Sequence, residues 1–408
     1  MELQFHSLRI ILDFNCMNSK IFIFTFILAV LVNSCISEFN AKLPSTDIQI
    51  LIVDGSIIEN TDVIFYLSTS MPLSSSFTTN QNPIVANLYI IGNNGYKSME
   101  ATSLGNGAYR FSVGTLDDNV EYGLEIDYNG DVYKSSLSKP IATPEIDSVS
   151  WVQPEAAGNV SFRVSTHDDK GEAKFFLWSY TENWEVTAYY YNTLFFNPDS
   201  NQFYNDYTAP FYHCWKNSAS HNLLIGSTES LSENRIVDKQ IYNCLPDNDR
   251  FYYLYSLTVN QQAISKAAFE YYQNKIVLND QMGGLFTPQP SELTGNITCV
   301  TDPSKRVMGF VETVKNITQK RKFVYAQEIT HLPSYTNCPS ITNDSIMYLF
   351  SGSETPYLDA YKGGYRPYGE LSHSPPPTPQ TWAYGFCTEC TMGGGSKVKP
   401  DFWPNNDQ

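Results

Sequence analysis

The sequence predicts an all-β chain: two β-sandwich domains followed by an irregular tail. Three observations carry that expectation. Short apolar-aromatic runs alternate with Asn, Asp, Gly and Ser clusters along most of the chain, which is the spacing of strands joined by turns. Tyr and Phe are abundant, at 28 and 24 residues, and aromatic side chains favour pleated strands. Charged residues make up only 17%. The 408 residues are enough for two domains of roughly 100–200 residues each, and no repeat of fixed period stands out.

Residues 1–35 read as an upstream segment and a lipoprotein signal peptide. Lys20 precedes an unbroken apolar run from Ile21 to Val32. That run is shorter than the roughly 20 residues a membrane-spanning helix needs, but it suits a signal-peptide core. Val32-Asn33-Ser34-Cys35 closes it with a small residue before a cysteine. Cys35 is therefore expected to be the first mature residue, its sulfur carrying diacylglycerol. Ordinary secretion, with Cys35 as a spare thiol or disulfide partner, is the alternative. Met17-Asn18-Ser19-Lys20 makes a conventional start, so residues 1–16 are read as lying upstream of the true one.

Removing residues 1–35 takes equal numbers of acidic and basic residues and leaves the net charge at −16. An acidic surface repels phosphate backbones, so nucleic acid is not an expected partner. It also repels anionic lipid. Attachment should rest on acyl chains, and stable anchoring takes two or more signals.

Residues 36–44 read as a tether. The first sandwich, immunoglobulin- or fibronectin-like, is expected over 45–142. Its strands start with Ile48–Asp54 before Gly55, then Val63–Leu67 and Ile84–Ile90 before an Asn93-Asn94-Gly95 turn. Gly105-Asn106-Gly107 introduces Tyr109–Phe111, and Asn129-Gly130 turns the strand begun at Tyr122. Tyr122 occupies the place of a tyrosine whose hydroxyl bonds back to upstream backbone in such sandwiches.

Thr143-Pro144 reads as the hinge into a second, larger antiparallel β domain over 143–356. Val160–Val164 alternates cleanly, and Lys174–Tyr180 with Trp184–Tyr189 reads as an aromatic hairpin. Leu223–Gly226, Ile241–Cys244, Phe251–Val259 and Val307–Val311 read as further strands. One covering helix is expected near 265–277. Ser265 is its N-cap, Ile264 staples to Phe269, and Phe269, Tyr272 and Ile276 form its apolar face. Gly283-Gly284 ends that region. From 357 to 408, Gly363-Gly364, Pro367, Pro375-Pro376-Pro377 and Pro379 argue against regular sheet. This tail is expected to drape over the second domain, held by Cys387, Cys390 and Phe402-Trp403.

Six cysteines follow Cys35: Cys214, Cys244, Cys299, Cys338, Cys387 and Cys390. An even count in an exported chain points to disulfides. Cys387-Thr388-Glu389-Cys390 is the only close pair and reads as a short structural disulfide, with zinc as the lesser alternative. The pairing of the other four stays open.

No catalytic residue, metal or cofactor is assigned. His167, His213, His221, His331 and His373 have no nucleophile-elbow pattern beside them. His167-Asp168-Asp169 reads as a charged hairpin tip rather than a ligand set. Asn197, Asp199, Asn201, Asn205 and Asp206 offer oxygens to calcium but lack EF-hand spacing. The remaining signal is aromatic: Trp184, Tyr189, Tyr190, Tyr191 and Tyr204 are the candidate ligand or partner surface. Three adjacent tyrosines cannot all face one core in a strand, since side chains alternate.

Several motifs fall together. Ser265-Lys-Ala-Ala-Phe-Glu-Tyr-Tyr272, Gly283-Gly-Leu-Phe-Thr-Pro288, Gly295-Asn296-Ile297 and Met308-Gly309-Phe310 lie in the second half. Cys387-Thr-Glu-Cys390 and Gly394–Trp403 lie in the tail, and Val53-Asp-Gly-Ser56 and Thr143-Pro144 lie upstream. With these the chain resembles the DUF4249 lipoproteins of Bacteroidota, over essentially all of the mature sequence. The resemblance implies an outer-membrane lipoprotein, often encoded beside a TonB-dependent receptor, and supplies no activity. The leading expectation is a non-enzymatic accessory or substrate-capture partner of a TonB-dependent transporter, held in outer-membrane lipid through Cys35. A surface adhesion or structural lipoprotein is the first alternative, and a hydrolase with an unrecognised site is the second.

Overall fold

The computed structural model describes residues 50–70, 84–220, 222–246, 249–281, 293–331, 337–372 and 377–404. Cys35, the apolar run before it, the 36–44 tether, His221, Gly283–Pro288, His373, Pro375 and Pro376 lie outside the described residues. Strands dominate the rest in several sheets, and the all-β class holds.

Within the compact unit Gln49–Gln408 the apolar side chains gather into two main cores. In the first, the Asp62–Thr69 strand turns Val63, Phe65 and Leu67 inward and Asp62, Ile64 and Tyr66 outward, the period of two that a half-buried strand requires. It pairs with Leu51–Asp54 on one side and Ala108–Ser112 on the other. The facing sheet runs Ala86–Gly92, Tyr122–Tyr128, Asp131–Ser135. Phe65 meets Phe111 edge-on at 5.8 Å in the space between. The turn at Asn129-Gly130 has φ of 52° and 83°, the left-handed pair that a tight hairpin needs. Tyr122 does what its position suggested: its hydroxyl accepts a hydrogen bond from the Asp117 amide at 2.9 Å.

This core is completed from far along the chain. Ile297–Cys299 adds to the second sheet beside Asp131–Ser135, and Val307–Gly309 adds in parallel to Leu51–Asp54. The Val307–Val311 run, read as a strand of the second domain, therefore returns to the first core, where Val311 is buried. Glycine permits the crossing. A Cβ at Gly309 would lie 2.2 Å from the Val53 carbonyl oxygen, and one at Gly295 would lie 1.7 Å from the Gly309 carbonyl oxygen. Asn296 fastens the same place, donating to the Val311 carbonyl at 2.8 Å and accepting from the Val311 amide at 2.9 Å.

The second core lies between two sheets. One runs His213–Ala219, Phe175–Thr187, Leu254–Ala263, Thr318–Tyr325; the other runs Arg235–Cys244, Val160–His167, Ile146–Val152. The expected hairpin between Trp178 and Trp184 is instead one strand of 13 residues, Phe175–Thr187. Thr181-Glu182-Asn183 offers no Gly or Pro and is laddered on both sides, Glu182 lying opposite Ser218 and Leu257. The buried Glu182 carboxylate is neutralised where it stands. Arg250 Nε donates to its Oε1 at 2.9 Å, and so does the Tyr255 hydroxyl at 2.9 Å. Burial first, and then the Glu182 charge, hold the Tyr255 phenol well above its ordinary pKa, so it remains a donor.

The Thr143-Pro144 hinge is pinned by side-chain amides. Asn316 bonds both the amide and the carbonyl of Thr143, and the fully buried Gln261 donates to the Pro144 carbonyl at 2.8 Å and to Thr166 at 2.9 Å. The same Gln261 accepts from the Trp178 indole at 2.8 Å, so that buried N–H is satisfied.

The helix spans Lys266–Gln281. Ser265 caps it through the Ala268 amide at 3.1 Å, and Ser265 in turn donates to Glu312 from both its amide and its hydroxyl. Its most buried positions are Ala268 and Tyr271, with Phe269, Tyr272 and Ile276 half-buried. The covering face is therefore rotated slightly from the expected one. Phe269 packs on Phe175 at 5.2 Å and Tyr271 on Phe310 at 5.5 Å.

The tail is not irregular. Tyr365–Ser372 pairs with Thr378–Tyr384, and Ile341–Thr342 adds to the latter. Pro367 is tolerated because the register shifts between it and Gly369, a bulge that removes the need for its amide. Short helices Asn343–Leu349 and Pro356–Lys362 cover this sheet around a fully buried Trp382. The expected anchoring by Phe402-Trp403 is present: Trp403 is buried against Phe323, and Arg321 lies over the Phe402 ring.

Arg250→Ala should strand the Glu182 carboxylate and cost about 3 kcal/mol in urea unfolding, as for other broken buried ion pairs. Adding Glu182→Gln should recover a measurable part of that loss. Equal stability of the single and double variants would contradict the assignment.

Candidate functional site

Residues 188–213, 337–372 and 377–396 together form a cap at one end of the Phe175–Thr187 strand. Two disulfides staple it, and neither is the expected Cys387–Cys390 pair. Cys390 bonds Cys214, with 5.8 Å between Cα atoms, and Cys387 bonds Cys338, with 5.7 Å. Backbone pairing decides this partition. Trp215 and Ser396 exchange amide-to-carbonyl bonds of 2.8 Å, and the Cys390 amide donates to the Phe211 carbonyl at 2.8 Å. That ladder lays Cys390 against Cys214. Gly395 allows the approach, since a Cβ there would meet Cys214 Cβ at 2.6 Å. Cys387, on the helical turn Gly385–Thr388, faces the other way, toward Cys338. Both members of Cys-x-x-Cys are thus consumed by bonds to distant cysteines. Cys244 and Cys299 are buried and take part in neither disulfide.

The aromatic residues singled out in the sequence separate. Trp184 is core, a correction to the surface reading. It is 6% exposed because it sits inside the long strand, where its indole donates to Asp249 at 3.1 Å and Arg250 lies 4.6 Å over its ring. After Thr187 the chain bends, and the three tyrosines diverge. Tyr190 turns inward, stacks on Tyr368 at 4.1 Å and donates to the Cys338 carbonyl at 2.7 Å. Its own amide donates to the Cys387 carbonyl at 2.8 Å, so it brackets the second disulfide. Tyr189 and Tyr191 turn outward and are each 60% exposed. Tyr204, on the hairpin Leu194–Asn197/Gln202–Asn205, is 47% exposed and leans on Phe195 at 5.7 Å. Tyr207 is exposed nearby.

Beneath Tyr204 lies a cavity of about 200 Å³ lined by Phe195, Phe211, Tyr361, Arg366 and Glu389, among others. Arg366 and Glu389 form a 3.0 Å ion pair with little solvent exposure. Arg366 Nη1 donates to the carbonyls of Tyr361 and Tyr365 at 2.9 Å each, and the guanidinium lies 3.7 Å over the Tyr361 ring. Burial pushes the Glu389 carboxyl above its ordinary pKa, against the opposing pull of Arg366. Burial also raises the Tyr204 phenol, with smaller contributions from Asp206, Tyr361 and Glu389. Arg366 and Glu389 had no signal in the sequence, because nothing in a proline-rich tail marks a buried ion pair. Phe195 and Tyr204 were legible as part of an aromatic cluster.

The other candidates have ordinary partners. His167 bonds Asp147 at 2.6 Å, with Asp169 at 3.6 Å. His213 contacts Glu185 and stacks on Trp215, and His331 contacts the Ala326 carbonyl. Asn197 caps the amides of Asp199 and Ser200, and Asp206 caps Thr208. These oxygens close turns instead of converging on one point. Among the described residues no group of three or more His, Cys, Asp or Glu is arranged to hold a metal ion.

Residues 36–321 match the family described as a domain of unknown function, DUF4249, and the chain belongs to that family. No curated protein matches it.

Digestion of the non-reduced protein should release peptides linked as Cys214–Cys390 and Cys338–Cys387, with Cys244 and Cys299 alkylated only after unfolding. A Cys387–Cys390 loop peptide would contradict the arrangement.

Proposed function

We propose that this DUF4249 member is a non-enzymatic outer-membrane lipoprotein of Bacteroidota type. In this reading Cys35 carries the lipid, and the aromatic cap captures substrate for, or docks on, a TonB-dependent receptor. The observation that carries the reading is the exposure of Tyr189 and Tyr191 on backbone fixed by two disulfides. Tyrosine is enriched at binding surfaces, where it supplies a large contact with a polar tip. A pre-ordered surface also loses less entropy when it binds. Tyr191 is propped by Tyr212 at 5.0 Å and Tyr189 by Tyr190 at 4.8 Å, so neither ring is a loose side chain on a mobile loop. The acidic balance of the chain argues for anchoring by acyl chains rather than by surface charge.

Cells fed labelled palmitate should label the wild-type protein and leave Cys35→Ser unlabelled. Extraction in mild detergent should co-purify an outer-membrane receptor with the wild type. Tyr189→Ala with Tyr191→Ala should lower its recovery at least tenfold, equivalent to about 1.4 kcal/mol. A wild-type preparation free of any such receptor, with attachment to matrix retained, would favour the adhesion reading instead.

A further inference from the structure

We infer that the cavity beneath Tyr204 is a subsite for one uncharged, hydroxylated ring, a single sugar unit; the inference rests on the capture reading of the cap. Size sets the first limit. About 200 Å³ is below the roughly 300–1,000 Å³ of pockets for drug-sized ligands and leaves room for one substituted six-membered ring.

Unspent hydrogen-bonding capacity sets the second. Arg366 uses Nε on Glu389 and Nη1 on the carbonyls of Tyr361 and Tyr365. Its two Nη2 N–H groups have no protein partner among the described residues. Glu389 engages Oε1 only, which leaves Oε2 as an open acceptor. The hydroxyls of Tyr204 and Tyr361 likewise have no protein partner among the described residues, and both residues line the same cavity. Donors and acceptors therefore stand side by side. A hydroxyl both donates and accepts, so neighbouring hydroxyls on a ring match this set. A purely apolar ring would strip water from Nη2 and Oε2 and return nothing.

Charge sets the third limit. Arg366 and Glu389 cancel each other at 3.0 Å. An anion taken at Nη2 would meet the Glu389 carboxylate beside it, and a cation taken at Oε2 would meet the guanidinium, so neither gains a net counter-charge. The walls complete the description. Phe195 and Phe211 lie at 68° with centroids 5.6 Å apart, and Tyr204 leans on Phe195. Their electron-rich faces suit the weakly positive C–H edges of a sugar ring.

Saturation-transfer NMR on the full-length protein in detergent tests this, with glucose, galactose and mannose as probes and the trisaccharide of any that binds. At least one hexose should receive saturation at its ring protons. Binding should weaken at least tenfold in Tyr204→Ala, which alters a half-exposed side chain, and in Arg366→Lys, which keeps the charge and loses the planar fork. Unchanged melting of Tyr204→Ala shows that the fold is intact. Tighter binding of the trisaccharide assigns the subsite to a chain end; equal binding assigns it to the free sugar. The inference is overturned if none of the three sugars binds, if binding survives both substitutions, or if benzoate or phosphate binds in their place. Absent sugar binding with receptor co-purification intact removes this inference alone. Sugar binding with no receptor removes the capture reading alone.

Discussion

The structure depends on a carboxylate that the core neutralises. Glu182 lies in the middle of the Phe175–Thr187 strand and is almost fully buried. A charge there ordinarily ends a strand or drags it to the surface. Arg250 and Tyr255 supply the opposite charge and a second donor, so the strand continues for 13 residues, about 43 Å at 3.3 Å per residue. That length gives it two working ends. At Phe175 it receives the Lys266–Gln281 helix through Phe269. Beyond Thr187 it delivers Tyr189, Tyr190 and Tyr191 to the cap. Three other strands pair with it, which makes it the spine of the second core.

The crossing of residues 293–316 does the equivalent work between the two cores. It sends Ile297–Cys299 and Val307–Gly309 into the first core, then Thr313–Val314 beside Ile57–Ile58. Asn316 locks the outgoing hinge at Thr143, and Gln261 locks Pro144 from the other side. Each of these amides bonds backbone that a sheet ladder does not reach. The cap is fixed by different means. It has a small core of its own around Trp382, and the Cys214–Cys390 bond spans 176 residues of sequence. In the chain-entropy account such a long loop restricts the unfolded chain far more than a four-residue loop does.

Features set by local chemistry were legible in the sequence. Asn129-Gly130 dictates a left-handed turn, Ser265 a helix cap and Tyr122 a hydroxyl-to-backbone bond, and each stands where its neighbours in sequence placed it. Features set by distant partners were not. Glu182-Asn183 resembles a turn until Arg250 is seen beside it. Cys387 and Cys390 look like each other's partners until Ser396 is seen laddered to Trp215. Pro367 and Pro379 argue against sheet, yet a bulge admits them. For the candidate site, the alternation argument said that the three tyrosines could not all face one core but not which would turn in. Tyr190 does, against its place in the candidate surface, and a bend rather than a strand turns it. Trp184 failed the same reading because its strand was longer than its turn-like middle suggested.

The working claim is that the disulfide-stapled aromatic cap is the surface through which this protein meets its partner. In-cell photocrosslinking from position 191 on the cap, compared with position 66 on the exposed face of the first sandwich, tests it most directly. Both tyrosines are more than half exposed, so access alone does not separate them. A crosslink to an outer-membrane receptor from position 191, and none from position 66, is the predicted result. Equal crosslinking from both positions, or crosslinking from position 66 alone, would contradict it.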